Sequence, residues 1–507
     1  MADERYFLGL DAGNTVIKAV LFDARGRQIG MSAHDGRSYQ PAPGQVERDL
    51  SELWSNACLA IRDCVQSTGI NPEQVAGIGC AGHGNGLYLI DPAGEPLIGI
   101  QSLDSRAASL AEEMNAAAGD RLHALCLQKP WPSQTPVLLA WIKRHRPEIY
   151  ARAATLMLCK DVINFRLTGS RRSDISDMSG CGLLKMPEGR YDQDLLAHYG
   201  LADAAPLLPP VADPSEIIGQ VSTSAAAETG LAEGTPVIGG YFDVVASAMG
   251  SGVVAPGSAS IIAGTWSINQ VFSSVPAHSS DIFMVAGFGP GRFVNIESSA
   301  TSAANLEWYV REFVERGGHH DDPFGYCNAR ASEVQPAEDN PIFHPFLYGS
   351  REGAEFRAGF YGIAGWHKEG HLLRAILEGV MFEHRRHTEV LRDAGLAIHT
   401  AVLSGGGARS PLWPQIFADG LGVQITTAES QETGALGAAI GAAVGTGAHP
   451  DYETAIAAMT RPRAIFQPDA SMRAHYDVRY ARYRDLTEAM RGFWHRGLVE
   501  RHSDEQC

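Results

Sequence analysis

The stretch GGYFDVVASAMGSG sets a single carboxylate, Asp243, where a buried strand turns into a helix. Residues 235–238 form a short apolar run, Gly239 and Gly240 let the backbone turn without a Cβ penalty, and Val244, Val245, Ala248 and Met249 recur at helical spacing. An Asp at a strand's carboxyl end, beside a helix N-terminus, is oriented by free N–H groups, which suits a general base. The same placement suits a plain N-cap, so this stretch alone leaves both readings open.

Two hairpins and a glycine loop supply a different chemistry. YFLGLDAG returns as NTVIKAVLFD through the small, polar tip Asp11-Ala12-Gly13-Asn14-Thr15. Its N–H groups and the Thr15 hydroxyl suit a phosphate, and Asp11 suits a cation, although an ordinary hairpin explains the Gly and Asn equally well. IIAGTWSINQVF repeats the pattern around Gly264-Thr265, as a second copy of one nucleotide-binding unit would. In AVLSGGGARSPLWPQIFADGLG, Gly405, Gly406 and Gly407 follow a strand and open a helix, a better cradle for phosphate or ribose. The loop lacks Gly-Lys-Ser/Thr and is not a Walker A motif.

Three residues of the N-terminal half suit a polyol. His83 lies on a turn after the buried strand VAGIGCAG, Asp104 precedes a helical segment, and Trp131 sits in a proline-flanked loop. Fixed hydrogen-bond partners and one apolar wall are what a sugar pocket needs, though each residue also has a purely structural reading. Elsewhere the signals are structural. Asp49-Leu50-Ser51-Glu52 has capping-box spacing at a helix start. Residues 170–214, rich in Gly, Asp and Pro, read as loops with little chemistry. His384 and His387, on a long amphipathic helix over 370–392, read as solvated and lack the HExxH order of a zinc site. Gly437, Gly441 and Gly445 give one helix a glycine face for close packing.

The elements that must hold these groups need two large domains, because 507 residues exceed one ordinary core. With 45% hydrophobic and 20% charged residues the chain is globular, and a formal charge of −17 without a basic stripe argues against nucleic acid as a partner. The longest apolar segment, from Ala435, is too short to span a membrane. Eight scattered cysteines without a CxxC pair, and an acidic N-terminus, give a cytoplasmic expectation.

Together, the Asp11 hairpin, the Asp243 strand end, the Gly264-Thr265 hairpin and the Gly405-Gly406-Gly407 loop resemble the FGGY family of carbohydrate kinases, from about Tyr6 to about Arg484. The most specific part is AGFYGIAGWHKEGHLLRAILE, residues 358–378, which fits the family's C-terminal signature position by position. A second signature, near Trp141, usually has Lys three residues earlier. Here Leu138 stands there, which bears on sugar preference rather than fold. GIGCAGHGNGLYLID, AGTWSINQ, ATSAANLEWY and PFLYGSREG are most similar to the L-xylulose kinases of the family, although His83 stands where those tend to have Gln.

The resemblance implies an α/β fold of two actin-like, ribonuclease H-like domains with a cleft between them: a sugar-binding and catalytic domain over 1–253, a nucleotide-binding domain over 254–485 and a tail over 486–507. It implies transfer of the ATP γ-phosphate to a pentulose such as L-xylulose or D-xylulose. A polyol kinase for erythritol or a pentitol, or an inactive sensor on the same scaffold, is the alternative. Asp243 is then the base. Asp11, Gly13, Asn14, Thr15, Lys18, Gly264, Thr265, Gly405, Gly406, Gly407 and Ser410 hold ATP, and Asp11 and Asp243 hold Mg²⁺. His83, Gly84, Asp104, Trp131, Phe242 and Asp243 contact the sugar. The expected partners are the sugar or polyol and ATP, without nucleic acid or membrane, and self-association as a homodimer is compatible with the sequence.

Overall fold

The computed structural model describes residues 5–504 apart from 319 and 354. The chain divides into two compact units. The first runs up to Pro256 and also takes Phe272–Ile296 and Glu432–Arg461, and the second takes Gly257–Val271, Glu297–Gln431 and the chain from Pro462 onward. A single cut at 253/254 therefore misses two returns of the chain to the first unit.

In the first unit the strands are β1 (Tyr6–Ala12), β2 (Val16–Asp23), β3 (Gln28–Asp35), β4 (Val75–Gly82), β5 (Ile217–Gln220), β6 (Pro236–Ile238) and β7 (Tyr241–Phe242). The sheet order is β5-β6-β4-β1-β2-β3, with β7 also on β4. β1 and β2 are antiparallel, β1 and β4 parallel, and β7 lies parallel to β4. Register puts Ala12 opposite Gly82 and Gly82 opposite Phe242, so Asp11 and Asp243 arrive at one carboxyl edge of the sheet. β1 and β4 are buried almost throughout, as their continuous apolar runs require. The helix Leu50–Thr68 covers one face, capped at Asp49 by bonds from the Ser51 and Glu52 N–H groups, and ends at Gly69 with φ 65°.

The helix Thr433–Gly445 explains why the chain returns to the first unit. Its backbone lies against β1 and β4: a Cβ on Gly9 would sit 1.9 Å from the Ala435 carbonyl oxygen, and one on Gly79 would sit 2.1 Å from that of Ala438. Its own glycine face meets other partners, with a Cβ on Gly437 falling 1.9 Å from the Ala246 carbonyl oxygen and one on Gly441 falling 2.2 Å from the Tyr241 hydroxyl. No side chain fits where backbone meets backbone. Gly437→Ala is expected to destabilise the protein by about 1–3 kcal/mol or more through overpacking, seen as a lowered urea midpoint. An unchanged midpoint would mean that the helix packs less closely.

The second unit contains β8 (Gly257–Ala263), β9 (Ser267–Ser273), β10 (Ile398–Ser404), β11 (Gln424–Ala428) and β12 (Pro462–Phe466). β8 pairs antiparallel with β9 and parallel with β10, β10 pairs parallel with β11, and β12 closes the edge antiparallel. The hairpin followed by parallel strands repeats the order of β1, β2 and β4, and both units carry a ribonuclease H-like sheet. The helix Arg473–Asp504 runs through the position expected to begin a tail.

The long helix of this unit spans Glu369–Asp393, but its histidines are not solvated. His384 and His387 are wholly buried. His384 Nδ1 bonds Asn269 Oδ1 at 2.9 Å, while His387 Nδ1 bonds the Ser267 hydroxyl at 3.0 Å. They fasten the helix to β9, and burial lowers the pKa of both, His384 to about 3. Among the described residues no helix is long and apolar enough to cross a membrane.

Candidate active site

Phe242, with extended backbone, occupies the N-cap, and Asp243 is the first residue of the helix Asp243–Gly250. Its carboxylate accepts the Val244 N–H, so it is oriented by the helix start without acting as the cap. Burial, and then the charge of Asp11, raises its pKa to about 8. Asp11 is raised to about 6, chiefly by burial, with Lys18 opposing and Glu432 adding to the shift. The Lys18 ammonium sits 2.7 Å from Glu432. Gly434 makes room for Asp11, since a Cβ there would lie 2.6 Å from the Asp11 carboxylate. Two half-buried carboxylates whose proton affinity is raised, Asp243 in part by Asp11, form a site able to take a proton or share a cation.

The tip that follows Asp11 is fixed from several sides. The Gly13 N–H bonds the Val16 carbonyl at 3.0 Å, and Arg48 Nη1 donates to the Gly13 carbonyl at 3.0 Å. Gln101 Nε2 donates to the Asn14 carbonyl at 2.6 Å, while Asn14 Nδ2 donates to the Ser102 hydroxyl at 3.0 Å. Thr15 remains exposed.

Of the residues expected around a sugar, three come together. The Phe242 ring lies where a Cβ on Gly84 would come within 2.4 Å, which explains the glycine after His83. His83 Nε2 bonds the Tyr88 hydroxyl at 2.9 Å, and burial, aided by Arg48 and opposed by the Gly84 backbone, depresses its pKa to about 3. It is a neutral ring. Trp131 packs against Phe283 with ring centroids 5.5 Å apart. Asp104 is held by protein partners. Its wholly buried carboxylate accepts the Val46 N–H at 2.6 Å, the Arg106 N–H at 2.8 Å and Arg106 Nε at 3.0 Å. Arg106 in turn reaches Glu47 at 2.8 Å and stacks over Trp141.

In the second unit the two glycine loops lie against each other. Ile262 pairs with Ser404, and Gly405, at φ 82°, would place a Cβ 2.8 Å from the Ala263 carbonyl oxygen, so the loop after β10 abuts the Gly264-Thr265 turn. Thr265 is exposed. Beside the loop lies a cavity of about 850 Å³ lined by Leu306, Glu307, Asn328, Gly406, Arg409 and Ser410, among others. Ser410 donates to Asn328 Oδ1 at 2.5 Å and accepts the Trp413 N–H at 3.0 Å, ahead of the helix Trp413–Leu421. Glu307, Asn328 and Arg409 were missed by sequence reasoning, since no motif marks them.

Also missed was a buried charge cluster in the first unit. Lys160, wholly buried, approaches Asp161 at 2.5 Å, Asp174 at 2.7 Å and Asp177 at 3.2 Å. Residues 173–180 thus carry buried polar groups where loops with little chemistry were expected. The signal was a Lys-Asp pair inside the apolar run LMLCKDVINF.

Comparison with known proteins agrees with this geometry. Residues 6–250 match the N-terminal domain, and residues 259–446 the C-terminal domain, of the FGGY family of carbohydrate kinases. An L-xylulose/3-keto-L-gulonate kinase of Escherichia coli is 35% identical over 493 residues, covering 96% of this chain and 98% of the relative. A probable L-xylulose kinase of Pasteurella multocida is 34% identical over 490 residues, covering 96% and 99%. The crystal structure of xylulose kinase from Rhodospirillum rubrum superposes with a TM-score of 0.87 at 27% identity, covering 97% of this chain and all of that one. Two family domains in order, relatives matched end to end and an acidic pair at the strand edge place the chain in the FGGY family of carbohydrate kinases, phosphotransferases that act on an alcohol group.

Proposed function

We propose that this chain transfers the γ-phosphate of ATP to a hydroxyl of a pentulose, L-xylulose or D-xylulose being the first candidates, with Asp243 as general base. The observation that carries the proposal is Asp243 itself, held at a helix start with its pKa raised to about 8, close to what a base needs to accept a proton during reaction. The substrate hydroxyl gives its proton to the Asp243 carboxylate as its oxygen bonds to the γ-phosphorus. The bond from that phosphorus to the β–γ bridging oxygen breaks, and ADP leaves with those electrons. His83, Gly84, Phe242 and Trp131 form the sugar's surroundings, and Asp104 acts through Arg106. The Gly13, Asn14, Thr15 and Lys18 tip and the Gly264-Thr265 turn attend the phosphates. Gly406 and Ser410 border the cavity for the rest of the nucleotide, with Gly405 and Gly407 flanking Gly406 in the same loop.

Mg²⁺ fits the donors present. Among the described residues no group of three or more His, Cys, Asp or Glu forms a metal cage, but Mg²⁺ is usually held by one or two carboxylates with substrate phosphates and water. Asp11 and Asp243 are such carboxylates, and a bound cation would offset charge on the phosphoryl group. Coupled ADP release over a panel of pentuloses, pentitols and erythritol tests the proposal. A pentulose is expected to give the highest kcat/KM, EDTA to abolish turnover and Mg²⁺ to restore it. ADP release with none of the sugars would leave a binding protein, and full turnover in EDTA would remove the metal assignment.

A further inference from the structure

We propose that Lys160 is a positioning residue for phosphoryl transfer, acting through Asp174 and Ser176 on the backbone that carries Asp243. Each link is a direct contact. Lys160 pairs with the Oδ2 atom of Asp174 at 2.7 Å. Asp174 Oδ1 accepts the Ser176 hydroxyl at 2.5 Å, and that hydroxyl accepts the Phe242 N–H at 3.0 Å. Phe242 is the residue before Asp243. One helical turn beyond Lys160, Asn164 Nδ2 donates to the Gly239 carbonyl at 3.0 Å. The helix Cys159–Thr168 therefore grips both ends of the Gly239–Phe242 bend.

The packing is as specific as the bonds. Lys160 Cβ lies where a Cβ on Gly82 would come within 2.9 Å, and its Cδ borders Gly240, whose φ is 85°. The stem thus fills the space under the bend, between β4 and β7, while the ammonium reaches the carboxylates. Burial alone would strip Lys160 of its proton, but the three carboxylates outweigh burial and keep it charged. Burial raises the pKa of Asp177 well above its ordinary value, with Lys160 opposing the shift.

Stability does not account for such a cluster, because well-packed apolar residues commonly hold a core as well as a buried ion pair does. What apolar residues cannot do is accept the Phe242 N–H. The hydroxyl of Ser176 has one proton, and the Asp174 carboxylate takes it, so the oxygen's lone pair faces the N–H. Lys160 fixes that carboxylate. The arrangement sets where the strand ends and the helix begins, and so where the Asp243 carboxylate stands.

The inference rests on Asp243 being the base, and the experiment separates the two. Steady-state kinetics are measured for the wild type, Ser176→Ala, Ser176→Thr, Asp243→Ala and the Ser176→Ala/Asp243→Ala double variant. Ser176→Ala is expected to lower kcat roughly 10- to 100-fold, the scale of a misplaced reacting group, with KM for ATP within about twofold. Ser176→Thr, which keeps the hydroxyl, restores most of that loss. In the Asp243→Ala background Ser176→Ala should cost nothing more, a non-additivity that a general loss of structure does not produce. Should Ser176→Ala fail to fold, Asp174→Asn reads the same link by the same loss of kcat. If Asp243→Ala is inactive while Ser176→Ala, or Asp174→Asn in its place, keeps wild-type kcat, the positioning inference is wrong and the base stands. If Asp243→Ala keeps its turnover, the base assignment is wrong and the inference falls with it.

Discussion

Asp243→Ala is expected to lower kcat by roughly 10²- to 10⁴-fold, the usual share of a positioned base, with the fold intact and ATP still bound. The isosteric Asp243→Asn should do the same, and its pH behaviour distinguishes loss of a base from loss of structure. Asp243 has a native pKa near 8, against an ordinary value of 3.8, because burial and then Asp11 disfavour its charge. The folded state therefore binds the proton more tightly than the unfolded one. Above the unfolded value, stability falls as pH rises, until the native carboxyl has ionised near pH 8. Asparagine carries no such penalty. Asp243→Asn should thus melt at a higher temperature than the wild type at pH 8, with the difference shrinking toward pH 4. Activity runs the opposite way, since the free enzyme's base works only when ionised, so wild-type kcat/KM should climb with pH toward about 8. Near-normal turnover in Asp243→Asn would falsify the assignment.

The parts of this site that were legible in the sequence share a cause. Asp243, the two hairpin tips and the Gly405-Gly406-Gly407 loop lie where strands end, and a strand end writes itself locally as an apolar run, then glycine, then a polar residue. The glycine face of Thr433–Gly445 was legible because backbone contact leaves no room for a side chain, a demand that shows as glycines four apart. What was not legible depends on partners distant in sequence. Asp174 and Asp177 look like loop residues until Lys160 is seen between them. His384 and His387 occupy what reads as the polar side of an amphipathic helix, and only the approach of Asn269 and Ser267 makes that side an interior. Asp104 lies four residues ahead of the helix Ala108–Cys126, and Arg106 bonds the carboxylate expected to face a sugar. Local chemistry named the candidate members of the site, and tertiary contacts decide which side chains are left open and which are held by other protein groups.

The other large effect is on stability. Lys160→Met keeps the unbranched apolar stem that fills the space beneath Gly82 and Gly240, and removes the ammonium. It should nonetheless cost about 3–5 kcal/mol at neutral pH, because taking one partner from a buried ion pair leaves carboxylates without compensation. Asp174 and Asp177 already have native pKa values above 3.8, with burial the main cause and Lys160 the chief force opposing it. Without Lys160 both rise further, so the native variant takes up protons that the unfolded chain does not. The loss is therefore greatest at alkaline pH and shrinks as pH falls toward 3.8, where the unfolded carboxyls are protonated as well. Asp177→Asn provides the contrast: burial disfavours the charge of Asp177, which is also the farthest of the three aspartates from Lys160, so a neutral group of the same shape should cost within about 1 kcal/mol, near that of an ordinary hydrogen bond. Urea unfolding at pH 5 and pH 8 reads both variants. A Lys160→Met protein whose midpoint matches the wild type at pH 8 would show that Lys160 does not offset the burial of the aspartates, and that the cluster's charge does not hold the bend ahead of Asp243.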